Sequence, residues 1–316
     1  FFLFFLVANT IKSRRQVRVF LYSFLAVFAL ISLYAFWQHF RGVERVSTPF
    51  EGKGGEANTL GGYLVVMIVI SLSLFFHLRR RRLRVFLGAS LCLALPALLF
   101  TLSRGSWVAF IPAYCTLMLL MKRGRSTLVA GIAVVVMFAP FIFPREVKER
   151  IEYTFEDQTQ HNVLGKQVTL DEATAARIET LAMGVETWKS APFIGRGVGS
   201  AGPAYDNQYA RVLVETGTLG ALLFCLILIM LFRVAMEVRR RYADDDFALG
   251  LSTGFIAALV AMLFHSFSAA TFIIIRIVEP FWFLAAMVVS LPELNEAEET
   301  GISVTGKPDR IGEVRV

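Results

Sequence analysis

Stretches of about 20 mostly apolar residues recur along this chain, separated by short clusters of arginine and lysine or by tight turns. A run of that length is what an α-helix needs to cross the hydrocarbon of a bilayer, where backbone polar groups must be satisfied within the segment. Read with that ruler, the chain has a partial helix at 1–10 and helices near 18–38, 61–77, 85–102, 106–121, 128–144, 207–232, 248–268 and 271–291. The composition agrees, since 56% hydrophobic residues with 29 Phe exceed what a soluble core needs and suit a chain solvated by lipid. The expected fold class is all-α: a polytopic transmembrane helical bundle of about nine helices, with a long external loop. The sequence opens at Phe1 inside an apolar run without an initiator Met, so further helices are expected upstream.

The formal net charge of +7 invites a nucleic-acid reading, but the basic residues lie in KSRRQVR (12–18), RRRRLR (79–84), KRGR (122–125) and RRR (239–241), between apolar runs. That spacing is a topology signal and not a binding groove, so no nucleic-acid partner is expected. With these clusters in the cytoplasm, the outer connections are 39–60, the turn Ser103-Arg104-Gly105, the long segment 145–206 and the turn near Ala269-Ala270. The short inner connections carry 16 Lys and Arg against four in the short outer ones, which sets the orientation. Cys92, Cys115 and Cys225 all lie inside apolar runs, where they read as small hydrophobes and not as a disulfide framework or metal site.

Four regions follow: transmembrane helices over 1–144, an external subdomain over 145–206, transmembrane helices over 207–291, and a polar, acidic tail over 292–316 expected to be cytoplasmic and disordered. Within the external subdomain, TLDEATAARIETLAMGVETWKSAP carries a capping box, Thr169 with Glu172, then apolar residues at Ile178, Leu181, Ala182, Val185 and Trp188. This is an amphipathic helix ended by Pro192. Its stripe suits either the bundle or the bilayer surface, and Trp188 near one end favours the surface.

The segment APFIGRGVGSAGPAYDNQYARVLVETGTLG (191–220) begins like a phosphate loop. It follows a helix and not a strand, and it lacks the Lys-Ser or Lys-Thr of a P-loop, so nucleotide binding is not expected. Gly195, Gly197 and Gly199 instead let the backbone turn tightly back into the membrane, and small residues there also allow a bulky head group to approach the main chain. Asn207, Arg211 and Glu215 recur every four residues on one helix face that enters the bilayer. Arg276 and Glu279, three apart, enter from the same side. Such groups are costly in hydrocarbon unless they face a wet cavity or pair with each other, so they are candidates for substrate binding or for structural pairs.

Arg104 occupies a tight outer turn and Arg177 the surface helix, so Arg104, Arg177, Arg211 and Arg276 are assigned to one leaflet. Arginines gathered there make a receptor for a diphosphate, each guanidinium offering a bidentate fork, although a lone interfacial Arg also serves as a membrane anchor. Among possible bases, His39 and His77 lie at helix ends and read as interfacial, and His161 lies in a polar part of the outer loop. His265 sits just inside the outer end of its helix and can face the same cavity. Asp206 stands where loop meets helix, as an N-cap or as a proton acceptor.

Several of these pieces in order resemble the O-antigen ligase and polymerase superfamily: Ser103-Arg104-Gly105 between two helices, Arg177 on an amphipathic helix, Gly195 to Gly199, Asp206-Asn207, and Glu215-Thr-Gly217-Thr-Leu-Gly220. Asn58 in EANTLGGYL resembles the family's Asn-rich start of an earlier helix. The resemblance covers roughly residues 45–235. It implies a glycosyltransferase of the GT-C type that needs neither metal, nucleotide nor other cofactor and works at the periplasmic face of the bacterial inner membrane. The implied donor is a glycan on undecaprenyl diphosphate, and the implied acceptor is a hydroxyl of lipid A core, of another glycan or of a protein. Arg104 and Arg177 would then stabilise the departing diphosphate. Ligases of the family usually carry His-Asn where this chain has Asp206-Asn207, and that His is the proposed base, so Asp206 either takes its role or marks a branch with a different acceptor. A transporter or flippase of lipid-linked saccharide, with Arg211, Glu215, Arg276 and Glu279 lining a path, is the alternative reading. A non-catalytic membrane scaffold is a third.

Overall fold

The computed structural model describes residues 2–49, 55–142, 145–156, 159–163, 166–170, 172–202 and 205–300. The apolar runs form helices α1 (Phe2–Thr10), α2 (Arg14–Phe40), α3 (Ala57–His77), α4 (Arg81–Phe100), α5 (Arg104–Leu120) and α6 (Arg125–Ile142), then α9 (Gln208–Arg241), α10 (Asp246–His265) and α11 (Ile275–Thr300). Between α6 and α9 lie α7 (Arg145–Glu156), a hairpin of β1 (Thr159–Val163) and β2 (Lys166–Leu170), and α8 (Glu172–Lys189). Among the described residues, six helices are long and apolar enough to cross a membrane, namely α2, α3, α4, α9, α10 and α11, while α5 and α6 are shorter apolar helices. The nine expected runs are therefore all helical, but fewer than nine meet the length of a full span.

The centre of the bundle is the pair α3 and α10. Both are apolar around their whole circumference and buried along most of their length, as expected of helices with no polar face. Small residues bring them together: a Cβ on Gly254 would lie 2.9 Å from the Ile70 Cα, and the Ser73 hydroxyl donates to the Gly250 carbonyl at 2.7 Å. Such close approach replaces the hydrophobic drive that lipid cannot supply between helices. The helices α2, α4, α5, α9 and α11 surround this pair. Large apolar side chains such as Leu30, Ile111, Leu119 and Leu222 remain exposed on the outside, where lipid solvates them.

The basic connections gather at one end. Arg14 pairs with Asp245, and Asp246 meets both Arg79 and Arg123 at 2.6 Å. Arg241 reaches Glu296 at 2.8 Å. That last contact belongs to a stretch expected to be a disordered tail: α11 continues through Pro292 to Thr300, with Leu294 and Asn295 buried. Residues 301–316 of the expected tail lie outside the described residues.

Two further expectations for the external segment change. Thr169 is not the cap of the amphipathic helix, because it pairs with Gln160 in the hairpin while α8 begins only at Glu172. The stripe of α8 also packs on protein: Leu181 joins Ala210 and Val214, and a Cβ on Gly184 would come within 2.7 Å of the Ala210 Cβ. Trp188 is tied in as well, its indole N–H directed at the Pro192 carbonyl (3.0 Å) and the Thr218 hydroxyl (3.1 Å).

Candidate active site

At the end opposite the basic connections, the first turn of α5 is held by a run of uncharged polar side chains. Ser103 caps α5, its Oγ lying 3.4 Å from the Ser106 N–H. The Ser103 hydroxyl also donates to Asn58 Oδ1 at 2.8 Å and lies 2.8 Å from the Ser106 hydroxyl. Ser106 Oγ meets His265 Nε2 at 3.2 Å, and His265 Nδ1 meets Thr271 Oγ1 at 2.8 Å. Ser103, Ser106, His265 and Thr271 are all buried, His265 at 2% exposure.

This cluster has room only because small residues face it. A Cβ on Gly61 would stand 2.3 Å from Ser106 Oγ, one on Gly62 would stand 2.9 Å from His265 Cε1, and one on Gly105 would stand 2.1 Å from Ser268 Oγ. The turn leading into α5 is strained besides, since Leu102 has φ 50° without being glycine. Its neighbours hold it there: the Thr101 hydroxyl accepts from the Ser103 N–H at 3.2 Å, and the Val46 N–H donates to the Phe100 carbonyl at 3.2 Å. Arg104, half-buried, is the first residue of α5 after that turn, where the helix N-terminus favours an anion. Arg177 lies in α8.

The start of α9 is stapled to the same region. Asn207 caps the helix, its Oδ1 accepting from the Tyr209 and Ala210 N–H groups at 2.9 and 3.1 Å, while its Nδ2 donates to the Phe267 carbonyl at 3.1 Å. Gln208 bonds to the Ser266 carbonyl and accepts from the Phe272 N–H. The cap is therefore Asn207 and not Asp206, whose side chain is exposed beside it. Asn207 is 4% exposed, with both ends of its amide engaged within the protein.

The glycine-rich loop has a specific task. In a continuous helix the Thr218 and Leu219 N–H groups would bond to the Val214 and Glu215 carbonyls, but α9 breaks at Gly217 (φ 63°, ψ −164°) and frees all four groups. The loop supplies each partner: Arg196 N–H to the Val214 carbonyl (2.8 Å), Gly197 N–H to the Glu215 carbonyl (3.0 Å), Thr218 N–H to the Pro192 carbonyl (2.8 Å) and Leu219 N–H to the Phe193 carbonyl (3.1 Å). A Cβ on Gly195 would meet the Glu215 carbonyl carbon at 2.5 Å, and one on Gly217 would meet the Gly195 nitrogen at 2.5 Å. Both glycines are thus required by main-chain contact, as a broken helix in lipid requires its freed groups to be satisfied by protein.

The remaining candidates separate from the cluster in use. Arg211 and Glu215 form a pair at 3.0 Å, each little exposed, and Arg211 also bonds to the Gly202 carbonyl. Arg276 does not pair with Glu279; it donates to the Thr48 hydroxyl and to the Pro49 carbonyl (3.0 Å), pinning the α2–α3 connection, while Glu279 is exposed. His39 stacks on Phe100 at 3.6 Å, and His77, expected at an interface, is buried and bonded to the Ser73 carbonyl. His161 lies in β1 opposite Val168. Ser103, Ser106, Gly61, Gly62 and Thr271 carry the cluster without having been singled out for it from sequence; the signal was the small residues of NTLGG and SRGS, one helix start facing another.

No curated protein matches the chain. Residues 89–225, a stretch that includes Arg104, Arg177, the glycine loop, Asp206 and the break in α9, match the O-antigen ligase family model.

Proposed function

We propose that the protein is a membrane glycosyltransferase that moves a glycan from undecaprenyl diphosphate onto an acceptor hydroxyl at the periplasmic face of the bacterial inner membrane. The observation that carries the reading is the family match across the very segment that bears Arg104, Arg177 and Asp206. In the proposed reaction the acceptor oxygen attacks the anomeric carbon from the side opposite the leaving group. The new C–O bond forms as the bond to the diphosphate breaks, the electron pair departs on the diphosphate, and the acceptor proton goes to a base. One inversion at the anomeric carbon results, without metal or nucleotide.

Arg104, at the N-terminus of α5, and Arg177 would stabilise the charge that develops on the diphosphate, the largest contribution such a site can make. Asp206, exposed beside the Asn207 cap, is the proposed base. Arg211, Glu215 and Arg276 are already engaged within the protein and support this site by holding its scaffold. Their confinement to one end argues against a charge-lined path through the bundle, as a flippase of lipid-linked saccharide would use. The acceptor is lipid A core, another glycan or a protein.

The test is reconstitution into proteoliposomes with undecaprenyl-diphosphate-linked glycan, scoring glycan on the acceptor and the lipid diphosphate released. Transfer with equal release of lipid diphosphate supports the reading, and movement of the intact lipid-linked glycan across the bilayer without transfer contradicts it. Asp206→Asn isolates the proton step, and the expected result is a loss of at least about 100-fold in kcat. Full activity in that variant removes Asp206 as the base.

A further inference from the structure

The hydroxyls between His265 and Asn58 have a fixed direction. With Asn58 presenting Oδ1, Ser103 gives it its one hydroxyl proton and Ser106 donates to Ser103; His265 in its Nε2–H tautomer donates to Ser106, and its Nδ1 accepts from the Thr271 hydroxyl at 2.8 Å, closer to that hydroxyl than the Ala269 carbonyl at 3.2 Å. The result is a one-way chain running from the end of α10, through the first turn of α5, to the start of α3. Two of its members, Ser103 and Ser106, flank Arg104 in sequence. The His265 ring is sealed from solvent and confined by Gly62, so it does not reach a substrate. Thr271 closes the other side of the ring at Nδ1.

Resting on the transferase reading above, we propose that His265 is a positioning residue: its Nε2–H, acting through Ser106 and Ser103, fixes the first turn of α5 so that Arg104 meets the diphosphate of the lipid carrier. The dependence on this chain follows from the turn itself. Leu102 sits in a left-handed conformation that relaxes unless its surroundings over-determine it, and the serine pair holds the residue next to it. A shift of about 1 Å at a residue that orients a reacting group is enough for a large loss of function.

The test is a double-mutant cycle on the affinity for undecaprenyl diphosphate in detergent micelles, which needs no turnover. His265→Phe is expected to weaken binding about tenfold in the wild-type background and not at all in Arg104→Ala, because it acts only through that arginine. His265→Gln, which keeps an N–H donor toward Ser106, is expected to stay within about threefold of wild type. Ser106→Ala, a smaller change, is expected to reproduce the loss if His265→Phe does not fold. Equal losses from His265→Phe with and without Arg104, or a His265→Gln variant as weak as His265→Phe, overturn the proposal. A wild-type protein that binds undecaprenyl diphosphate but transfers no glycan sinks the transferase reading and leaves the cycle readable. A wild-type protein that does not bind the lipid diphosphate overturns both.

Discussion

At the basic end of the bundle the connections are joined by long charged side chains: Arg14 with Asp245, Arg79 and Arg123 with Asp246, and Arg241 with Glu296. At the other end the joins are mostly buried, and beside the Arg211–Glu215 pair and the Arg276 ties they are short and uncharged: a chain of hydroxyls around His265, the amide of Asn207, and a loop whose backbone completes a broken helix. The difference lies in tolerance. Arg79 and Arg123 are more than half exposed, so water and salt can replace their contacts at little loss. A buried hydrogen bond to a main-chain group has no such substitute, and its geometry is correspondingly strict. The strict end holds Arg104 and the break in α9, and the tolerant end is where the positive charges that orient a membrane protein gather.

Perturbing each end should reproduce that ranking. The largest effect is expected from Gly217→Ala, whose Cβ would enter the backbone of the docked loop in a conformation that only glycine adopts readily. A destabilisation on the order of 3–5 kcal/mol is expected in thermal unfolding of the detergent-solubilised protein. A change below about 1 kcal/mol would mean that the loop and the break are not interlocked. Asn207→Ala removes the α9 cap and the tie to Phe267 together, with an expected loss of about 1–3 kcal/mol, of which Asn207→Asp should recover the cap's share. Asp246→Asn at the basic end is expected to change stability by less than about 1 kcal/mol, and that small change should shrink further in 0.5 M salt, on the order of ionic strength that screens exposed pairs.

The contrast also explains what could be read from sequence. Helix positions were legible because lipid imposes a length and an apolar surface on every span, and the nine runs all proved helical. The charged helix α7 and the hairpin that follows obey no such rule and went unread. The Arg211–Glu215 pair was legible from four-residue spacing alone. The partner of Arg276 was not, because Thr48 and Pro49 lie 228 and 227 residues away in the chain. The His265 cluster was hidden for a similar reason: serine and glycine inside apolar runs look like ordinary helix-packing residues until three helix ends meet. The glycine loop was read correctly as a turn, but its matching to four freed backbone groups of α9 depends on main-chain atoms that carry no side-chain signature.

We propose that this polar end holds Arg104 against a lipid diphosphate. The most direct test is the rate of glycan transfer by Arg104→Ala in proteoliposomes, with thermal stability checked in parallel. The account predicts a loss of at least about 100-fold in kcat at nearly unchanged melting temperature. Transfer within about twofold of the wild-type rate would contradict it.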